Sequence, residues 1–405
     1  MSSTRDVVIV GAGPVGLAAA LAVRATGHRV AVVEAGAADR VRPGSRAIFL
    51  HKVTLQVLEQ VRAGLGQQLV RHGLIWTTKR TVYRGREVYR RTYPPPPPGE
   101  LPAATSLPQV VTEAVLLRAC IDSGVDFIWS TEVTGARSSS EGVTLATPQG
   151  APLTARYVIA ADGSRSAVRE STGLHLEGPR TSSAFVIVDT AEDAADPLPI
   201  ERVFHYEHPR VGFRNVLFVP FAGHWRVDLQ CHPGDDPDAY SSDAGVRDWL
   251  ATVMPARYAG RITWVSTYVF RQAVANHFVD ATRRILLAGE AAHVFAPFGA
   301  RGLNSGVADA YVAAGAIDAA LRAGTPAEAD RAIDDFAASR RAAAVRNRAA
   351  SSTALRHLDA ASAPRRGLRR LAALVAPSMP PVGRWMDSAP YGPPLGEADR
   401  HGMHY

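Results

Sequence analysis

Cysteine and lysine are nearly absent from this sequence. Cys120 and Cys231 are the only cysteines, which excludes a disulfide framework and a cysteine-based zinc site and makes a reducing cytoplasm the expected home. Lysine occurs only at Lys52 and Lys79, so the net charge of +7 is carried almost wholly by arginine. Those arginines are spread along the chain and not gathered on one motif. That argues against nucleic-acid binding, since overall charge speaks to solubility and non-specific contact more than to fold. No apolar run reaches the roughly 20 residues of a membrane span. The opening MSSTRDVVIV runs straight into a strand, without the charged and apolar regions of a secretory signal.

What is present is an ordinary globular composition, 46% hydrophobic and 20% charged over 405 residues, enough for two or three domains. One stretch dominates. Residues 7–34 read VVIVGAGPVGLAAALAVRATGHRVAVVE: an apolar run, a turn with Gly11, Gly13, Pro14 and Gly16, a small-residue helix, a second apolar run, then Glu34 and Ala35. Gly11 permits the tight turn, Gly13 lets a pyrophosphate approach the backbone, and Gly16 lets the helix pack close to the sheet. Free amides at the helix start attract the phosphate charge. Glu34 suits a ribose hydroxyl and would repel a 2′-phosphate, so the site fits FAD or NAD and not NADP.

Further along, Leu55, Leu58 and Val61 fall at helical spacing, and 76–92 reads as a hairpin turning at Arg84-Gly85. Pro94 to Pro98 form a stiff connector. Residues 109–120 read as a buried helix, and 126–129 and 142–146 as strands. An apolar strand then ends in Ala161-Asp162-Gly163, with a helix starting near Ser166. Asp162 is placed to cap that helix or to hold a ligand hydroxyl. From 181 to 270 alternating runs predict an antiparallel sheet, interrupted by a helix near 244–252. Residues 284–289 form a buried strand, and a glycine-rich loop leads to a helix expected from about Ser305. The tail is helical and then proline-rich. Its stretch 354–375 is basic and partly amphipathic, which suits either a membrane surface or the protein's own flank, and the flank is favoured because Pro364 and Gly367 are expected to break the pattern.

Three stretches in order, GAGPVG with Glu34, Ala161-Asp162-Gly163, and LLAGEAAHVFAPFGARGLNSGVADA, resemble the fingerprints of the single-component FAD-dependent aromatic hydroxylases, the p-hydroxybenzoate hydroxylase-like flavoprotein monooxygenases. The resemblance covers about residues 5–320. It is nearest to the phenylpropionate and phenol hydroxylases, which often carry a C-terminal thioredoxin-like domain that is not expected within these 405 residues. It implies an α/β fold: a discontinuous Rossmann-like FAD-binding domain (1–75, 100–180, 271–325), an inserted antiparallel-sheet substrate domain (76–99, 181–270), and a helical C-terminal segment (326–405). It implies tightly bound FAD, transient NADPH or NADH, and hydroxylation of a phenolic or hydroxy-heteroaromatic ring by O2 through a flavin C4a-hydroperoxide. Oligomeric state stays open between monomer and homodimer.

The resemblance also assigns roles. Gly11, Gly13, Gly16 and Glu34 should hold the ADP half of FAD, and Arg46 and Gln109 should lie along the cofactor. Asp162, Gly163, Gly289 and Glu290 should flank its middle. Pro297, Gly299, Gly302, Leu303 and Asn304 should lie by the isoalloxazine. The family normally has Asp where Glu290 stands. On the substrate side His205, Tyr206, Arg214, Asp228, Gln230 and Tyr268 are expected, with Pro297 at the reacting end. His293 is expected to pack beside the cofactor and not to act as a base. The competing expectations are a related flavoenzyme (a halogenase, Baeyer–Villiger-type oxygenase or reductase) and a weakly catalytic flavoprotein that protects an unstable intermediate. The absence of a W-x-W-x-I-P segment counts against a tryptophan-type halogenase.

Overall fold

A computed structural model describes residues 5–393 apart from 41, 149 and 151. The end of the predicted proline-rich tail, 394–405, lies outside the described residues.

The first strand, Arg5–Val10, lies between Val30–Val33 and Leu153–Ala160, parallel to both. Asp126–Ile128 extends this parallel core on one side and Ile285–Leu287 on the other. Antiparallel Gly142–Ala146 and Gly135–Ser139 complete a seven-stranded sheet. Gly135–Ser139 had too little apolar content to be predicted. Val7 to Val10, Val30 to Val33 and Ile285 to Leu287 are all buried, because a parallel sheet is covered on both faces and needs no alternation. The Rossmann-like α/β arrangement expected for this part of the chain is the one observed.

A second seven-stranded sheet runs in the order Ile262–Arg271, Arg180–Ala191, His224–Gln230, Arg214–Phe221, Glu201–His208, Thr78–Tyr83, Arg86–Thr92. The 76–92 hairpin turns at Arg84 and Gly85, both with positive φ (49° and 83°), as a tight two-residue hairpin requires. It joins the later strands through one parallel pairing, Thr78–Tyr83 with Glu201–His208, so the sheet is not wholly antiparallel as expected. One face packs on the helix Asp243–Val253 through Val246, Trp249 and Leu250. The other face meets Leu355, Leu358, Ala372, Ala373 and Met386 of the C-terminal helices.

Those helices are Pro326–Asp359, Ala363–Val375 and Pro380–Ser388. Thr325 and Glu328 form a capping box at the start of the first. Pro364 does not break the second; it sits in the first turn, where its missing N–H costs nothing, and the helix runs on through Gly367. This stretch packs through Arg369, Ala372 and Ala373 but leaves Leu368, Leu371 and Leu374 exposed, so the expected packing is only half made.

Candidate active site

The two sheets and the C-terminal helices enclose one cavity of about 1900 Å³. It begins at the glycine turn. Gly11 has φ +100°, and a Cβ there would lie 2.5 Å from the Ala161 carbonyl. A Cβ on Gly16 would strike the Gly11 carbonyl at 1.9 Å, so this glycine serves helix–strand packing and does not line the cavity. Gly13 is different. A Cβ there would meet only Arg42 Nη1 at 3.6 Å, so its surface is open toward the cavity. Gly13 is also the N-cap of the helix Pro14–Ala25, whose first amides have no intrahelical acceptor. Glu34 Oε2 accepts from Ala12 N at 2.7 Å and Oε1 from Gly36 N at 3.0 Å, which fixes the carboxylate at the rim.

Farther in, the helix Ala167–Ser171 is capped by Ser166, whose Oγ accepts from Arg169 N at 2.9 Å, and Asp162 Oδ2 adds a second bond to its first turn, from Val168 N at 3.2 Å. Asp162 Oδ1 is buried with no hydrogen-bond partner among the described residues, and burial raises the pKa of this carboxyl. Glu290 stands in a short turn just past Ile285–Leu287. It opens to the cavity but is otherwise enclosed by protein, and burial raises its pKa against the opposing pull of His293 and Arg46. Arg46 (φ 51°) and Gln109 line the same stretch. Gln109 Nε2 donates to Glu113 at 2.8 Å.

The last part of the cavity passes Pro297, Gly299, Gly302 and Leu303. The helix here is Arg301–Arg322, four residues earlier than predicted, because Ala300 takes a left-handed φ of 53° and turns the loop directly into it. Asn304 therefore lies inside the first turn. Its side chain accepts from His51 N and Thr54 Oγ1 and donates to the Phe49 and Ala300 carbonyls, so it ties the loop together and does not face the cavity. His293 is also structural. Its Nε2 meets Asp309 at 2.7 Å, Asp309 also holds Arg340 and Gly289 N, and the imidazole stacks on Phe295.

The substrate-side expectations divide by strand parity, since alternate residues face opposite sides of a sheet. Tyr268 and Asp228 line the cavity, the latter paired with Arg226 at 2.8 Å. His205 does not line it: it faces His208 and Phe218 on the opposite side, and burial pushes its pKa down to about 3. Arg214 is likewise turned away, clamped to Asp235 at 2.6 Å. Tyr206 shares the cavity-side parity but lies past its end. Its hydroxyl donates to the Met386 carbonyl at 2.7 Å and meets His357 Nε2 at 2.9 Å. Gln230 bonds Asn215 and Asp359. The sequence reading missed Arg202, one period-2 step from Phe204, and missed His51, Trp76, Lys79 and Tyr391, which all line the far end. For Lys79 a signal existed: it is one of two lysines in an arginine-rich chain.

A family model described as an FAD binding domain matches residues 4–350. The chain belongs to that family. It is 34% identical over 325 residues to the 6-methylpretetramide 4-monooxygenase of Streptomyces rimosus, covering 76% of this chain and 54% of that protein. It is 29% identical over 329 residues to a 3-(3-hydroxy-phenyl)propionate/3-hydroxycinnamic acid hydroxylase of Mycobacterium avium, covering 75% of this chain and 53% of the relative. The chain thus spans about half the length of these relatives. Among solved structures, the p-nitrophenol 4-monooxygenase PnpA from Pseudomonas putida DLL-E4 superposes with a TM-score of 0.75 at 25% identity, covering 98% of this chain and 100% of PnpA. The 2-methyl-3-hydroxypyridine-5-carboxylic acid oxygenase shares the fold, with a TM-score of 0.71 at 20% identity over 88% of this chain and 93% of its own.

The residues present fit FAD. Gly13 offers a bare backbone surface, helix-start amides face both the Gly13 turn and the 299–302 loop, Asp162 Oδ1 lacks a partner, and one cavity connects them. Among the described residues no helix is long and apolar enough to cross a membrane, and no cluster of acidic, histidine or cysteine side chains forms a metal site.

Proposed function

We propose that the protein is an FAD-dependent monooxygenase that hydroxylates a phenolic or hydroxy-heteroaromatic substrate with NAD(P)H and O2. The observation that carries this is the single cavity running from the Gly11–Gly16 turn past Pro297–Gly302 to an aromatic far end. Its volume is about twice the upper end of a typical ligand pocket, roughly 1000 Å³, which leaves room for a dinucleotide and a second molecule. The hydroxylases and monooxygenases among the relatives support the same chemistry.

In this reading Gly11, Gly13, Pro14, Glu34 and Ala35 hold the ADP half of FAD. Arg46, Gln109, Asp162, Gly163, Gly289 and Glu290 flank its middle, and Pro297, Gly299, Gly302 and Leu303 its ring end. Bound FAD supplies electron acceptance from NAD(P)H and the activation of oxygen. The chain supplies orientation and dryness. Phe270 and Phe298, edge to face at 5.6 Å, wall the reacting end with Tyr268 and keep water from it. Tyr268 is the catalytic-side candidate that keeps its place, together with Pro297. NADH or NADPH binds transiently at the surface, in the cytoplasm where it is regenerated. We divide the chain as the sequence suggests, except that 380–393 adds a wall to the substrate end.

The test is to purify the protein, record its visible spectrum with added FAD, and follow NADH and NADPH oxidation with a panel of phenols and hydroxypyridines under ¹⁸O₂. One labelled oxygen in a ring product is expected. A protein that takes up no FAD, or that yields only hydrogen peroxide across the panel, sinks the proposal.

A further inference from the structure

The far end of the cavity is walled by aromatic rings and cations. The Lys79 ammonium lies over three of the rings: Tyr93 at 5.4 Å, Tyr391 at 5.8 Å and Trp76 at 5.9 Å. No carboxylate pairs with it among the described residues. Arg202 stacks over Tyr391 at 4.6 Å and Arg91 over Tyr93 at 4.4 Å, and Arg384 lines the same end. The nearby carboxylate, Asp387, is already taken by Arg202 at 2.7 Å and by the Thr81 hydroxyl. The local charge is therefore positive and uncompensated, inside a partly dry space where an opposite charge is worth more than in water.

This end is reached from the cofactor loop by a run of rings. His51 Nε2 meets the Gly299 carbonyl at 3.0 Å, Phe49 lies 5.0 Å from His51, and Trp76 lies 5.6 Å from Phe49. A flat molecule lying along these rings has one end at Gly299 and the other at Lys79. Tyr391 is contributed by residues beyond the stretch matched by the family model, and Arg301 anchors its carbonyl at 3.1 Å.

We propose that this end is an anion subsite, in which Lys79, supported by Arg91, Arg202 and Arg384, receives the carboxylate of an aromatic acid whose ring lies against Pro297–Gly302. This names the substrate class of the site proposed above and rests on that reading for the position of the ring. Lys79 is a specificity-determining residue here: it grips the acid and takes no part in the bond-making step. Burial, with Arg202 and Arg91 beside it, lowers the Lys79 pKa to about 8, and a bound carboxylate relieves that repulsion.

The experiment is equilibrium dialysis on the FAD-loaded protein with matched pairs: 4-hydroxybenzoate, 3-(3-hydroxyphenyl)propionate and a hydroxynaphthoate, each against its primary amide. At pH 7 the best acid is expected to bind at least about tenfold tighter than its amide. Lys79→Met should remove that preference and leave amide binding within about twofold, while Lys79→Arg should keep most of it. FAD content and circular dichroism verify that each variant is folded. Equal binding of acid and amide by the wild type, no binding of any acid, or an unchanged preference in Lys79→Met overturns the subsite. Lys79-dependent binding of an acid that is never hydroxylated leaves the subsite standing and overturns the proposed reaction instead.

Discussion

At the Gly11–Gly16 end, the surface offered to a ligand is main chain: a left-handed glycine, a bare Gly13 and the free amides of the helix Pro14–Ala25, fixed by a parallel sheet buried on both faces. At the Lys79 end it is all side chain, drawn from the hairpin, from Arg202 in the middle of the second sheet, and from the C-terminal residues 384–391. A main-chain site tolerates little change of backbone and is indifferent to most side chains around it. A side-chain site is set residue by residue and can be retuned without disturbing the fold. Mutations at the two ends should therefore fail in different ways.

The largest effect belongs to the glycine turn. Gly16→Ala places a methyl 1.9 Å from the Gly11 carbonyl, and neither backbone can move without parting helix from strand. No soluble folded protein is expected, which expression and circular dichroism would show. Gly13→Ala sharpens the contrast. Its methyl meets only the far end of Arg42, so the apoprotein should melt as the wild type does, while FAD affinity falls by roughly 100-fold because the pyrophosphate loses its approach. A matched loss of melting temperature and FAD in both variants would show that the turn is one structural unit with no separate ligand surface.

The far end has its own buried weak point. Arg202 and Asp387 are both buried and paired at 2.7 Å, and this pair pins the helix Pro380–Ser388 to the sheet. Arg202→Met removes the buried cation paired with Asp387 and leaves that carboxylate only the Thr81 hydroxyl and the more distant charge of Lys79, at a cost of about 3–5 kcal/mol in urea unfolding. Adding Asp387→Leu should recover most of that. If the single variant is no less stable, the helix is held by its apolar contacts and not by the ion pair.

Acid should act on the wall between the two ends. His51 is half-buried in the cavity wall, and burial, with Arg301 and Lys79 as neighbouring cations, lowers its pKa to about 4. The unfolded chain takes up the proton near pH 6.5 and the folded chain does not until about pH 4, so stability falls as pH drops through that window. His51→Gln removes the titration. Between pH 7 and 4 the wild type should lose on the order of 2–3 kcal/mol more than the variant in paired denaturant titrations. Equal losses would mean that His51 is protonated without penalty in the fold.

The same contrast explains what the sequence could disclose. The glycine turn, the Glu34 acid, Asp162 at its strand end and the Gly289–Gly302 loop are legible because main-chain sites impose spacing: a glycine wherever φ is positive or a backbone comes close, and an apolar run on either side. The side-chain task of Asn304, just inside the following helix, is not legible, since its hydrogen bonds to His51, Thr54 and Phe49 depend on residues some 250 positions away, and only the fourth, to Ala300, is local. The Lys79 end carries no spacing. Trp76, Lys79, Tyr93, Arg202 and Tyr391 meet only after a parallel strand pairing and a C-terminal return that local patterning does not encode. Parity alone would have separated Arg202 from His205, had the register of that strand been known.

The smallest expected effect tests where the far end stops. Tyr206 lies on the cavity-side face of its strand, yet its hydroxyl is spent on the Met386 carbonyl and His357, and its ring packs among Phe204, Leu358 and Met386. Tyr206→Phe keeps the ring and removes the two hydrogen bonds, which should cost about 1 kcal/mol of stability. Because the hydroxyl never reaches the cavity, kcat/KM for the best substrate should stay within about twofold, and the acid-over-amide preference should not change. If turnover falls tenfold with stability unaltered, the helix Pro380–Ser388 moves during the reaction and Tyr206 belongs to the substrate wall after all. If stability falls and turnover holds, the wall ends at Arg202, and the residues beyond it serve only to keep the C-terminal segment over the cavity.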